Sequence, residues 1–349
     1  MLRKRVLASA ARAAVAGVLI LVVLAMSTGT TLAAGLRNES VKGVQFAASC
    51  LSRTLCVLAG YTPGGVGDIV VVHNGVPGHV STVATLQGVV SVSCPSASGC
   101  VAIGNQAGVG VRFVEVNASG VVTSSRLVTV PAGVVLSRVA CTKLTACAVA
   151  GTDIFLSPTA IEVGSWNGSI LKLHAVSPPK GTTDVAVEGL SCWGAACDLV
   201  GYLEKGVTVT GYVVTATDGK PGHLQSVPGD SLEGVSCMSA SRCYAAGYTQ
   251  AGGLIVTLNS GKASSPQHVK PDLFAIACAG SSCTAVGEEL PPSPSADAFW
   301  GAIVTVSSGK ATSTQAISES GGYNGVGRIG SDFTAVGSAQ KIGSEVTTG

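Results

Sequence analysis

The chain has 349 residues, among them 46 Gly and 12 Cys, with 46% hydrophobic and only 11% charged side chains. That composition excludes a disordered chain, which stays solvated through dense charge and scarce β-branched residues. The formal charge of +2, from 21 basic residues scattered among 19 acidic ones, excludes the clustered basic surface that nucleic acid requires.

The first residues follow secretory grammar. Arg3, Lys4 and Arg5 open the chain, an apolar run extends from Ala13 to Met26, and small residues close at Ala33-Ala34. The run is too short to span a bilayer, so residues 1–33 are expected to be a cleaved signal peptide, with an uncleaved anchor as the alternative. Cleavage removes four basic residues and no acidic ones, leaving 17 basic against 19 acidic and a net charge of −2. Export and release, or loose surface attachment, is the expected localisation. No membrane span is expected after cleavage.

From there the cysteines come in pairs: Cys50/Cys56, Cys94/Cys100, Cys141/Cys147, Cys192/Cys197, Cys237/Cys243 and Cys278/Cys283. Four residues after each second cysteine stands a glycine: Gly60, Gly104, Gly151, Gly201, Gly247 and Gly287. A seventh copy, GVGRIGSDFTAVG, carries Arg328 and Phe333 in the cysteine places and Gly337 in the glycine place. Successive glycines lie 40 to 50 residues apart, the period of propeller blades. Within each period four apolar, alternating segments are separated by turn residues, and Asn74-Gly75, Asn167-Gly168 and Asp218-Gly219 suit tight hairpins between the third and fourth segments.

These patterns predict an all-β, seven-bladed β-propeller of four-stranded antiparallel blades, forming a single domain over residues 34–349. Residues 36–42 are expected to complete the last blade. Each cysteine pair flanks one short hairpin in an exported chain, so a disulfide in each of six blades is expected rather than a metal site. No repeated histidine accompanies the cysteines, and no metal or cofactor is called for. His79, His174, His223 and His268 each follow a third turn in a different repeat and cannot converge on one ion.

The unit VSC-x5-C-x-A-V-G, followed by an extended segment and an NG-type turn, resembles the repeats of exported, largely uncharacterised β-propeller proteins of actinobacteria and similar bacteria. The resemblance runs from about Val41 to Gly349 and implies fold and export, with no catalytic residues to carry over. Of the aromatic pair such repeats place about the NG turn, only GSWNGS at Trp166 retains part. The WD dipeptide of other propellers is missing.

Candidate binding residues are those that break or decorate the repeat. Tyr61, Tyr202 and Tyr248 follow the repeated glycine and are placed to ring a funnel, or else to pack between blades. The stretch from Gly287 to Gly301 escapes the repeat and carries Glu288, Glu289, Asp297 and Trp300. Asp184, Asp230, Glu233 and Asp272 are expected in blade-connecting loops of the same face. The leading expectation is a monomeric binding module for an extracellular protein, peptide or glycan, without catalysis. The alternative is a polysaccharide hydrolase or lyase working in the funnel, for which paired carboxylates would be needed. A purely structural envelope component is a third reading.

Overall fold

The structure is a computed structural model that describes residues 18–20, 39–41 and 43–348, apart from residues 107, 157–158, 230, 291–298, 318–319 and 340–342. The signal-peptide expectation therefore falls almost wholly outside the described residues. Among these residues no helix is long and apolar enough to cross a membrane.

Among the described residues all regular structure is β. Six antiparallel blades follow one another, built from residues 44–83 (blade 1), 91–128 (blade 2), 134–176 (blade 3), 184–227 (blade 4), 231–269 (blade 5) and 272–317 (blade 6). In each, four consecutive segments pair as neighbours. The fourth of blade 5 is broken into Lys262–Ala263 and Gln267–Val269, both bonded to Gly252–Asn259.

The expectation of seven such blades is corrected: there are six, not seven. The last repeat supplies only three consecutive strands, Ser320–Ile329, Asp332–Ala339 and Gly343–Thr348. Their sheet is extended by Glu39–Val41, from the other end of the chain, and then by Val18–Ile20. This composite closing sheet has no disulfide. It lies between blade 6 and blade 1, because the first strands touch in succession around the ring and Ser320–Ile329 touches both Asp272–Ala279 and Val44–Ser52.

Blade packing explains the composition. Second and third strands are covered by neighbouring blades on both faces, so Leu55–Tyr61, Gly67–His73 and their equivalents are runs of buried Val, Ala, Ile and Leu. Fourth strands face solvent, as in Val122–Val128, whose five central residues are all exposed, and the four expected histidines on them are all exposed. Of the expected tight turns, Asn74-Gly75 and Asp218-Gly219 have both residues at positive φ. Asn167-Gly168 does not, because the Asn167 side chain instead accepts from the amides of Ser169 and Ile170. Ser260-Gly261 and Ser308-Gly309 make the tight turn where no NG or DG pair signals it.

All twelve cysteines form the six hairpin disulfides, and each pair is directly opposed across its hairpin or one position from it. Six bridges belong to an oxidising environment. The serine before the first cysteine has its own task, joining one blade to the next. Ser49, Ser93, Ser191 and Ser236 accept, through Oγ, the amide of the following blade's first cysteine: Cys94, Cys141, Cys237 and Cys278, at 2.8 to 3.0 Å. Where alanine replaces serine, an arginine does the joining. Beside Ala140, Arg138 donates to the Glu188 carbonyl and carboxylate of blade 4. Beside Ala277, Arg328 of the closing sheet donates to Thr284 and Ser282 of blade 6. Arg328 and Phe333 are opposed in the register of a cysteine pair, so hydrogen bonds to a neighbour stand in for the missing staple. We expect Ser191→Ala to cost about 1 kcal/mol, since the Cys237 amide loses its acceptor. An unaltered thermal midpoint would show that these serines are not inter-blade links.

Candidate functional site: the acidic channel mouth

The repeated glycine builds the site. It lies opposite an innermost-strand residue, and the next residue on that strand is a bulge without a partner. A Cβ on Gly60, Gly151, Gly201, Gly247, Gly287 or Gly337 would stand 1.8 to 2.1 Å from a carbonyl oxygen of that strand. Only glycine admits the bulge. Each bulged residue stands four positions before the first cysteine or its substitute: Phe46, Ser137, Glu188, Glu233, Phe274 and Asn324, with Val90 in the same place by register in blade 2. A bulge re-aims its side chain, and on the innermost strands this sets one residue per repeat around the axial channel.

Two adjacent positions in this ring are acidic. Glu188 pairs with Arg138, whose Nη2 lies 2.8 Å from its carboxylate while Nη1 donates to the Ser137 carbonyl. Both side chains retain just over a quarter of their exposure, as expected for groups open to a channel yet surrounded by protein. Burial raises the Glu188 carboxyl above its usual range, and Arg138 opposes this. Glu233 is pushed up to about 8 by burial and by the Glu188 charge, against the Ser231 hydroxyl and Arg138. The Ser231 hydroxyl donates to Glu233 at 2.5 Å. At neutral pH Glu233 therefore keeps its proton, while Arg138 favours the charged form of Glu188.

Of the expected tyrosines, Tyr202 and Tyr248 come together on this pair. Burial first, then Glu233, Glu188 and further carboxylates, hold both phenols protonated far above neutrality, so each is a hydrogen-bond donor. Asp184 and Glu204 also act on Tyr202, and Asp272 on Tyr248. Tyr61 packs on Phe46 with centroids 5.3 Å apart, and Tyr248 meets Phe274 edge-on at 6.1 Å. Tyr61 and Tyr248 thus pack against bulge residues, and Tyr202 and Tyr248 also feel the carboxylates of blades 4 and 5.

The expected loop residues are dispersed. Glu288 is buried opposite Asp272, with its carboxylate directed at the closing-sheet backbone near Gly322. Glu289 pairs with Lys270 and lies opposite half-buried Trp300. Asp297 and Asp230 fall outside the described residues. Asp184, Glu233 and Asp272 were expected in loops but lie within first strands. Glu188 and Arg138 were missed by sequence reasoning, although a signal existed: Glu188, like Glu233, stands four residues before a first cysteine.

Around this mouth, the loops between second and third strands carry exposed apolar residues: Val109, Ile154, Phe155 (72% exposed), Leu156, Val207 (86%) and Leu290. All belong to the face on which first strands begin. A separate groove of about 340 Å³ lies at the outer rim between blades 2 and 3, where Phe113 stacks on Trp166 at 4.1 Å and Arg126 donates to the Gly168 carbonyl.

Comparison with known proteins is consistent with this architecture. The chain is similar to the WD40 β-propeller domain of Doa1 (TM-score 0.59, 8% identity, 87% of this chain and 93% of that one). It is also similar to the RRP9 WD40 repeats (0.59, 12%, 96% and 98%) and to BamB from Moraxella catarrhalis (0.51, 11%, 96% and 95%). The fold is a β-propeller. At these identities the likeness concerns fold alone. No family model matches the chain, and no curated protein matches it.

Proposed function

We propose that this chain is an exported propeller of the actinobacterial repeat type, binding an extracellular protein or peptide at the channel mouth without chemistry of its own. One observation carries the reading: the bulges of the adjacent blades 4 and 5 set Glu188 and Glu233 at neighbouring positions of the channel ring, with Arg138 the cation paired to Glu188. Such a mouth takes a basic side chain, while the exposed apolar loops around it cover the partner's surface. Tyrosine hydroxyls supply donors to partner carbonyls.

Binding of a cation favours ionised Glu233, so affinity rises as pH increases through about 8. The test is calorimetric titration with Lys/Arg-rich and Glu-rich peptides against wild type and the Glu188→Gln/Glu233→Gln double variant. Basic peptides should bind at least about tenfold more weakly to the variant, a loss of about 1.4 kcal/mol. Equal affinity for both peptide classes, or no loss in the variant, would refute the reading.

A second reading rests on the same pair. A protonated Glu233 beside a carboxylate held by Arg138 has the form of a general acid and its partner, as polysaccharide hydrolysis requires. Turnover of labelled polysaccharides that disappears with Glu233→Gln would favour this reading over binding alone.

A further inference from the structure

In blades 1 to 5 the residue after the second cysteine stands beside the next blade's disulfide. Val57 packs with Cys94 and Cys100, Val101 with Cys141 and Cys147, Ala148 with Cys192 and Cys197, and Tyr244 with Cys278 and Cys283. Thr334 of the closing sheet places its hydroxyl 3.2 Å from the Cys56 sulfur. At blade 4 this residue is Asp198, and a carboxylate oxygen of Asp198 and the sulfurs of Cys237 and Cys243 all lie within 4.8 Å of one another. Both sulfurs belong to a disulfide, so this trio holds no metal.

Asp198 is 6% exposed, and its side chain has no hydrogen-bond partner among the described residues. Burial pushes its carboxyl up to about 6. A disulfide offers that carboxyl no donor, whereas two thiols offer two S–H groups. Reduction therefore brings two protein donors to a carboxyl that has none in the oxidised protein, and among the described residues this is the bridge with a carboxylate oxygen beside both of its sulfurs. Cys237 remains half-buried, which leaves an attacking thiolate an approach that the 4%-exposed Cys243 does not offer.

We infer that Cys237–Cys243 is a reversible thiol–disulfide exchange site for an extracellular dithiol reductant, with Asp198 its proton donor and the hydrogen-bond partner of the reduced form. The reductant's thiolate attacks Cys237 Sγ and breaks the S–S bond. Cys243 leaves as the thiolate and takes the Asp198 proton. The reductant's second thiol then attacks its own sulfur in the mixed disulfide and releases Cys237. Two electrons pass to the protein and the reductant departs as its cyclic disulfide; of the two protons its thiols lose, one protonates Cys237 and the other replaces the proton that Asp198 gave to Cys243.

The test is graded reduction of the whole protein with dithiothreitol, followed by iodoacetamide trapping and peptide mass mapping. Cys237 and Cys243 should be trapped at reductant concentrations about tenfold below those that open any other pair. Asp198→Val, which reproduces the surroundings of Val57 and Val101, should abolish the preference, and Asp198→Asn provides an isosteric second variant. Circular dichroism before reduction confirms that each variant is folded. Simultaneous opening of all six bridges, earlier opening of another, or a preference that survives in both variants would overturn the assignment.

Discussion

Replacing Gly247 by Ala lowers stability by about 3 kcal/mol, read as a shift in the urea midpoint at constant m-value. The added Cβ would stand 2.0 Å from the Ser231 carbonyl oxygen and 2.9 Å from Leu232 Cα, both backbone atoms of the innermost strand. Neither can move aside as a side-chain tip can. The strand must shift, and the shift acts on the bulge that aims Glu233 at the channel. The same substitution should therefore also weaken binding of basic peptides. Gly78→Ala is the control, because its Cβ meets nothing closer than 3.6 Å, and its midpoint should stay within about 0.5 kcal/mol of wild type. Equal effects at the two positions would show that the recurrent glycine is not dictated by the bulge.

Raising the pH from 6 to 9 should destabilise the wild type by about 2 kcal/mol, and Glu233→Gln should remove most of that loss. The sign follows from the proton. An unfolded Glu ionises near pH 4.3, whereas Glu233 in the folded protein holds its proton up to about 8. Stability is thus highest below the unfolded value and falls as pH rises through about 8, where folding must confine a second carboxylate beside Glu188. Channel water solvates part of that charge, which keeps the cost well below that of a fully desolvated ion. Urea midpoints at the two pH values decide the matter. A wild type indifferent to pH, or a variant that keeps the full drop, would mean that Glu233 is solvated as an ordinary surface carboxylate.

The sequence by itself determined the blade. Cysteine pairs with four or five residues between them, a glycine four positions on and a period near 46 residues specify four short strands and a stapled hairpin, because local pairing depends on neighbours in the chain. It also contained the bulge ring, at four residues before each first cysteine. Tertiary structure decided how the ring closes. The last repeat supplies three strands, and Glu39–Val41 pairs with Gly343–Thr348 across almost the whole chain length, so six complete blades and one composite sheet result. Tertiary structure also decided the site. Glu188 and Glu233 are separated in sequence by the rest of a blade, and only the curvature of the ring sets their bulges side by side. Each repeat specifies its own strands through local contacts, whereas the channel, its charges and the carboxyl beside Cys237–Cys243 arise where one repeat meets the next.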